Sequence, residues 1–335
     1  MPKNGFNFLR LVFALFVVIT HSYPLSGAPD IDYLKRVSGG QVSFSFLGLS
    51  GFFIISGYLV FQSLDRSNNL LVYFRKRVLR IFPGLFVMLL LTVLLGVFVY
   101  EGTFQNYIGN PYVWTYLPSN LLLVKSQGII PGIFTNNPYN PTINGSLWSI
   151  LYEFSFYIAL AALFFFKRRA QILITASVLA LMLAGKLFWA NELSVYRYIL
   201  ELRLVLEYGP FFAFGALLAM IGIKQNPGNN LIIALLTFAL VAVIYFRVFD
   251  EARFFILPPL VILAGLSPMT FLQRALDKLG DISYGIYIYA FPLQQTLVHF
   301  FRLDAMELMA WSVVLSSLLG YFSWHCIEKY ALRLK

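Results

Sequence analysis

The sequence predicts an all-α polytopic membrane protein, a bundle of about ten transmembrane helices with both the N- and C-termini in the cytoplasm. Three observations carry that expectation. Of 335 residues, 59% are hydrophobic and only 12% charged, with a mean hydropathy of +0.75, far too apolar for the surface of a soluble domain. Ten stretches are long enough to cross a bilayer as helices: 6–25, 44–63, 81–100, 147–166, 170–189, 208–223, 229–247, 253–268, 282–301 and 306–327. Finally, the connections between these stretches divide the charges by side.

The charge division fixes the orientation. Cytoplasmic loops are enriched in Lys and Arg. With the N-terminus inside, 16 of the 25 Lys and Arg fall on the cytoplasmic side, from Lys3 and Arg10 to Lys329, Arg333 and Lys335. Of the 15 acids, only Asp65, Asp277, Asp281 and Glu328 join them there. The net charge of +10 therefore reflects topology and lipid contact, and nucleic-acid binding is a poor reading of it. A single cysteine, Cys326, permits no internal disulfide. Three scattered His and no close His/Asp/Glu spacing argue against a metal site. With no internal repeat or low-complexity tract, residues 1–335 are read as one domain.

The first stretch holds LRLVFALFVVITH. Ser26-Gly27-Ala28 offers a small-residue cleavage pattern, but the run is long for a signal peptide and Pro29 would follow the cut. Arg10 and His21 sit inside it, where an ionisable group costs at least about 2.5 kcal/mol. Eleven positions make about three helical turns, so the two lie roughly 16 Å apart on nearly one face. One is near each membrane surface. They offer a cation inside and a proton acceptor outside.

In the second stretch, GLSGFFIISGYLVF places Ser56 and Gly57 toward the cytoplasmic half, after Gly48 and Gly51. Small residues let membrane helices approach closely, and they also make room for a slender ligand arm. Before the third stretch, YFRKRVLRIFPGLF packs Arg75, Lys76, Arg77 and Arg80 into a cytoplasmic connection. The cluster reads as a positive-inside anchor or as a phosphate site, for which Arg supplies a bidentate fork. From charge alone the anchor outweighs the site. Arg10 lies at the same membrane side.

The external loop 101–146 is rich in turn residues, and its aromatics Trp114, Tyr116 and Tyr139 suit an interface belt or a sugar platform. The fourth stretch then opens NGSLWSILYEFSFY, with Asn144 or Ser146 as helix cap and Glu153 two turns inside. Asn144-Gly145-Ser146 also matches a glycosylation acceptor, but beside a span it is better read as the cap. Counting inward from the outer surface puts Glu153 at about the depth of His21. Such a pair can do proton chemistry, the carboxylate holding the imidazole's tautomer. Structurally, Glu153 could merely pair with an Arg to fix the bundle, but the shared membrane side puts the functional reading ahead. The fifth to eighth stretches are read as spans on length and apolarity, the sixth and eighth being shortest. The ninth contains ISYGIYIYAFP and His299, and the tenth His325; both histidines read as interfacial or packing residues.

The order and spacing of these segments resemble the acyltransferase-3 family across nearly the whole chain. Arg10 and His21 match its first-span motif, FFIISGYL its second-span signature, and Arg77 and Arg80 its Arg-x-x-Arg segment. Trp148, Ser149 and Glu153 match its Trp-Ser plus Glu segment, and Ser283, Tyr284, Tyr287 and Pro292 its late motif. Asn7, Ser50, Phe154 and Ala290 depart from the common pattern.

The resemblance implies an O-acyltransferase that moves acetyl, or another short acyl group, from cytoplasmic acyl-CoA to a hydroxyl of a cell-surface polysaccharide or its lipid-linked precursor. It implies a multi-pass protein of the cell (inner) membrane, with acyl-CoA and the glycan as partners and no permanently bound cofactor. The expected division of labour has Arg75, Arg77 and Arg80, with Arg10 and Tyr284, at the CoA phosphates. The pantetheine arm passes Ser56 and Gly57, while His21, oriented by Glu153, acts as general base outside. Rival readings are a transporter of a glycan, lipid-linked sugar or other solute, and a non-catalytic scaffold.

Overall fold

The computed structural model describes residues 5–139, 141–189, 200–224, 229–267 and 270–335. Lys3 and the last residue of the 253–268 stretch lie outside them. The chain runs through α1 (Phe6–Leu25), α2 (Tyr33–Val37), α3 (Phe44–Asp65), α4 (Leu70–Val99), α5 (Phe104–Ile108) and α6 (Pro111–Leu121). It continues through α7 (Leu147–Ala161), α8 (Arg168–Trp189), α9 (Leu202–Met220), α10 (Asn229–Tyr245) and α11 (Phe249–Leu266). Last come α12 (Phe271–Asp277), α13 (Ser283–Phe301) and α14 (Ala305–Ser323), the latter extended by a π-helical turn over Trp324–Glu328. No strand forms among the described residues, only the isolated bridges Tyr100 to Ile133 and Ile129 to Thr142.

Every one of the ten apolar stretches coincides with a helix. Among the described residues, seven helices are long and apolar enough to cross a membrane: Phe6–Leu25, Phe44–Asp65, Leu70–Val99, Leu147–Phe165, Arg168–Phe188, Leu202–Met220 and Ala305–Leu334. α10 is apolar but has 17 residues. α11 opens with Asp250, Glu251 and Arg253, and α13 carries Gln294, Gln295, Thr296 and His299, which dilutes their apolar content.

Two sequence expectations change. The basic segment before the third span is no loop, because α4 begins at Leu70 and carries Arg75 to Arg80 and Pro83 within one 30-residue helix. The external loop also contains helix. Thr103 caps α5 by accepting from the Asn106 amide, and Asn110 caps α6 by accepting from the Tyr112 amide, with Pro111 at the first helical position. At the start of α7, Asn144 is buried. Its side-chain oxygen accepts from the Ser146 amide at 3.0 Å and its amide donates to the Ile288 carbonyl at 3.1 Å.

The chain divides into two compact units built from interleaved segments. The first comprises Met1–Phe13, Leu34–Tyr73 and Tyr152–Lys278. Its centre is the contact of α3 with α9, where a Cβ on Gly57 would stand 2.0 Å from the Phe212 carbonyl oxygen and one on Gly215 2.2 Å from that of Ile54. Each glycine admits the other helix's backbone. Around this contact Phe53 packs on Phe156 and Tyr208, and Phe211 on Phe254. Arg253, 5% exposed, pairs with Glu207 at 2.6 Å, and Lys186 joins the same carboxylate.

The second unit comprises Ala14–Tyr33, Phe74–Leu151 and Leu279–Lys335. Here α13 and α14 cross at Gly285 and Gly320, a Cβ on the former lying 2.7 Å from the latter's Cα. Two fully buried glutamines organise the other face of α13. Gln294 donates to the Val18 carbonyl and to Ser22 Oγ at 3.0 and 2.8 Å. Gln295 donates to the Tyr139 and Thr142 carbonyls at 2.7 and 2.6 Å and accepts from Asn137, pinning the external loop to the helix.

Candidate functional site

Within the first unit, the middle of α3 meets the middle of α7. Ser56 Oγ donates to Glu153 Oε1 at 2.6 Å, and the Tyr157 hydroxyl, one turn further along α7, donates to the same oxygen. Tyr73 in turn donates to the Tyr157 carbonyl at 2.9 Å, fixing the turn that carries the phenol. Among the described residues no hydrogen bond reaches Glu153 Oε2. A carboxylate with one oxygen saturated by hydroxyls and the other open is a proton acceptor held in a fixed orientation.

This geometry corrects the depth assigned to these residues. Counting from the span ends separated an inner Ser56 from an outer Glu153, yet the two are in direct contact. Ser56 is near the centre of its 22-residue helix, and the contact brings the Glu153 carboxylate to that depth. Glu153 takes its hydrogen bonds from Ser56 and Tyr157. Gly57 is corrected as well: the Phe212 carbonyl occupies the space of its missing side chain, leaving no room there for a ligand arm. Arg10, on α1, has its guanidinium 3.5 Å from the Asn7 side-chain oxygen.

In the second unit, Arg80 is held by acids that composition had counted only as topology markers. Its guanidinium pairs with Asp281 at 2.7 Å and stands 3.7 Å from Glu328. Ser283 Oγ donates to Asp281 at 2.7 Å and Ser323 Oγ to Glu328 at 2.8 Å. Tyr284 donates to the Ile81 carbonyl at 2.9 Å, its ring 5.8 Å from the guanidinium. Arg80 and Tyr284 thus brace α4 against α13 and the end of α14. A guanidinium facing two carboxylates ties these helices together.

Arg75, Lys76 and Arg77 occupy the turn before Arg80, Arg75 exposed and the other two half-buried. Their field reaches Lys335: burial, then repulsion by Arg77, Arg80 and Lys76, pulls its ammonium down to about 8.

His21 lies half-buried on α1, its ring edge-on to Phe291 with centroids 5.3 Å apart. Among the described residues neither of its ring nitrogens takes part in a hydrogen bond. The Trp-Ser segment and the late tyrosine motif do meet, with Ser149 Oγ and the Tyr287 hydroxyl 2.5 Å apart. His299 packs on Phe134 and Phe300, and His325 stacks on Tyr321, whose carbonyl is 3.1 Å from its Nδ1. Sequence reasoning missed Tyr157 and Glu328. The Glu153–Tyr157 spacing of four, which puts two side chains on one helix face, was the available signal for the first.

Comparison with known proteins follows the same outline. The acyltransferase domain family matches residues 3–324. An O-acetyl transferase of Shigella phage Sf6 is 30% identical over 335 residues, covering 98% of this chain and 95% of the relative. Nodulation protein 10 of Rhizobium leguminosarum bv. viciae is 27% identical over 377 residues, covering 99% and 94%. No solved structure matches significantly.

Proposed function

From the premise that the chain belongs to the acyltransferase-3 family and is an acyltransferase of groups other than aminoacyl groups, we propose that it transfers acetyl from cytoplasmic acetyl-CoA to a hydroxyl of a cell-surface polysaccharide or its lipid-linked precursor. Acetyl is favoured because the Sf6 relative is an O-acetyl transferase. We place all ten apolar helices across the cell (inner) membrane with both termini inside, on the strength of the charge division.

The observation that carries the donor is the run of cations Arg75, Lys76 and Arg77 in one turn of α4, with Lys76 and Arg77 near enough to repel the buried Lys335 ammonium. Charge-assisted hydrogen bonds from such groups suit the phosphates of CoA. Arg10 is on the same proposed side, and Arg80 holds the cluster's scaffold through Asp281 and Glu328. On the outer side His21 takes the proton of the acceptor hydroxyl, its nitrogens being free of competing hydrogen bonds among the described residues.

Purified protein incubated with labelled acetyl-CoA and surface polysaccharide tests this reading. Labelled glycan is expected, reduced roughly 10²- to 10⁴-fold by His21→Ala, the usual cost of a lost general base. Acetyl-CoA left unconsumed, or full activity in His21→Ala, rejects the donor or the base respectively.

A further inference from the structure

The donor and acceptor of the proposed reaction lie on opposite sides of the bilayer, and Ser56 stands between them. From Phe44 to Ser56 is about 18 Å along α3 and from Ser56 to Asp65 about 14 Å, at about 1.5 Å per residue. A hydrocarbon core is about 30 Å thick, so this hydroxyl is close to its centre. Beyond Gly48 the half-buried residues of α3 include Leu49, Phe52, Ser56 and Leu59, spaced three and four apart, while most of their neighbours are fully buried. That spacing makes one narrow accessible face with Ser56 on it. Glu153 Oε1, 2.6 Å from the hydroxyl and fixed by Tyr157, is placed to receive its proton. A nucleophile in hydrogen-bond contact with a base that is itself oriented by a third group is the arrangement of covalent catalysis.

Resting on the acetyl-CoA reading above, we propose that Ser56 is a transient acyl carrier that divides the crossing into two halves. In the first, Oγ attacks the thioester carbonyl as its proton passes to Glu153. The C–S bond breaks, the thiolate takes that proton, and CoA leaves as the thiol. In the second, the acceptor hydroxyl attacks the Ser56 ester and the C–Oγ bond breaks. The hydroxyl's proton ends on Oγ, and the enzyme returns to its starting state. Nothing is oxidised or reduced.

The test uses the full chain in bilayer discs, with labelled acetyl-CoA and no acceptor, quenched in acid and mapped by peptide mass spectrometry. An acetyl ester on Ser56 is expected, discharged when polysaccharide is added. Ser56→Ala is expected to lose the label and at least about 10² of the transfer rate. Ser56→Cys keeps the position and turns the adduct into a thioester, cleaved by neutral hydroxylamine, a signature that a packing role would not produce. Labelled glycan formed while Ser56 stays unmodified, or wild-type transfer by Ser56→Ala, overturns the relay and leaves the donor and acceptor standing. Acetyl-CoA left unconsumed overturns both.

Discussion

Glu153 and Glu328 are both carboxylates carried on apolar helices, one in each compact unit, and their surroundings differ in kind. Glu328, 1% exposed, faces the Arg80 guanidinium and accepts from Ser323, so its charge is answered by an opposite charge. Glu153 is answered by two neutral hydroxyls on a single oxygen. The guanidinium ties Glu328 into the fold, whereas the two hydroxyls hold the direction of Glu153 and leave its second oxygen open. The same residue type is a tie in one region and, in the proposed reaction, a reagent in the other.

The largest effect expected from this contrast is catalytic. Glu153→Gln keeps the shape of the cluster and removes the base, so acyl transfer should fall roughly 10²- to 10⁴-fold while the unfolding temperature in detergent hardly moves. A variant that transfers normally would place Glu153 among the ties. The converse applies to the second unit. Arg80→Ala leaves two buried acids facing each other and should cost about 3–5 kcal/mol in unfolding, as breaking a buried pair does. Replacing Arg80, Asp281 and Glu328 together by apolar residues should recover most of that loss, measured by denaturant titration; no recovery would mean the charges serve something besides the fold.

A smaller effect sharpens the division inside the cationic region. Arg77→Ala should weaken acetyl-CoA binding about tenfold, within the range of one charge-assisted hydrogen bond, and Arg77→Lys should restore only part of it. Calorimetric titration reads both, and equal affinities would return the segment to a topology signal. The smallest expected effect is on pH. With the Lys335 ammonium lowered to about 8, the free protein loses that charge as pH rises through about 8, and affinity for CoA phosphates should decline there by less than about tenfold. Lys335→Met should flatten the profile; an unchanged pH step would assign it to another group.

How much of this was legible in the sequence differs by scale. All ten apolar stretches became helices because hydrophobic length is a local property, read without knowing any partner. Ser56 and Glu153 were both singled out for their chemistry, but their depths were counted from separate span ends, and only packing reveals that they touch. Gly57 was ambiguous for the same reason, since a missing side chain does not say what fills its place. The ion pairs of Arg80 were not legible because its partners, Asp281 and Glu328, are 201 and 248 positions away and look, in sequence, like ordinary loop acids. Periodicity carries no information about such distant pairings.

The π turn at the end of α14 acts as a phase shifter for the tail of the chain. Ser323 and Glu328 are five residues apart, a spacing that on an α-helix points side chains about 140° away from each other. Widening one turn to i→i+5 brings them onto a common face, where Ser323 donates to Glu328 at 2.8 Å and the carboxylate reaches Arg80. The angular position of everything beyond Trp324 is therefore set by one residue of helical slack. Deleting that residue would rotate Glu328 by about 100° without removing a single functional group. Spacing in this segment is as much a constraint on the sequence as identity.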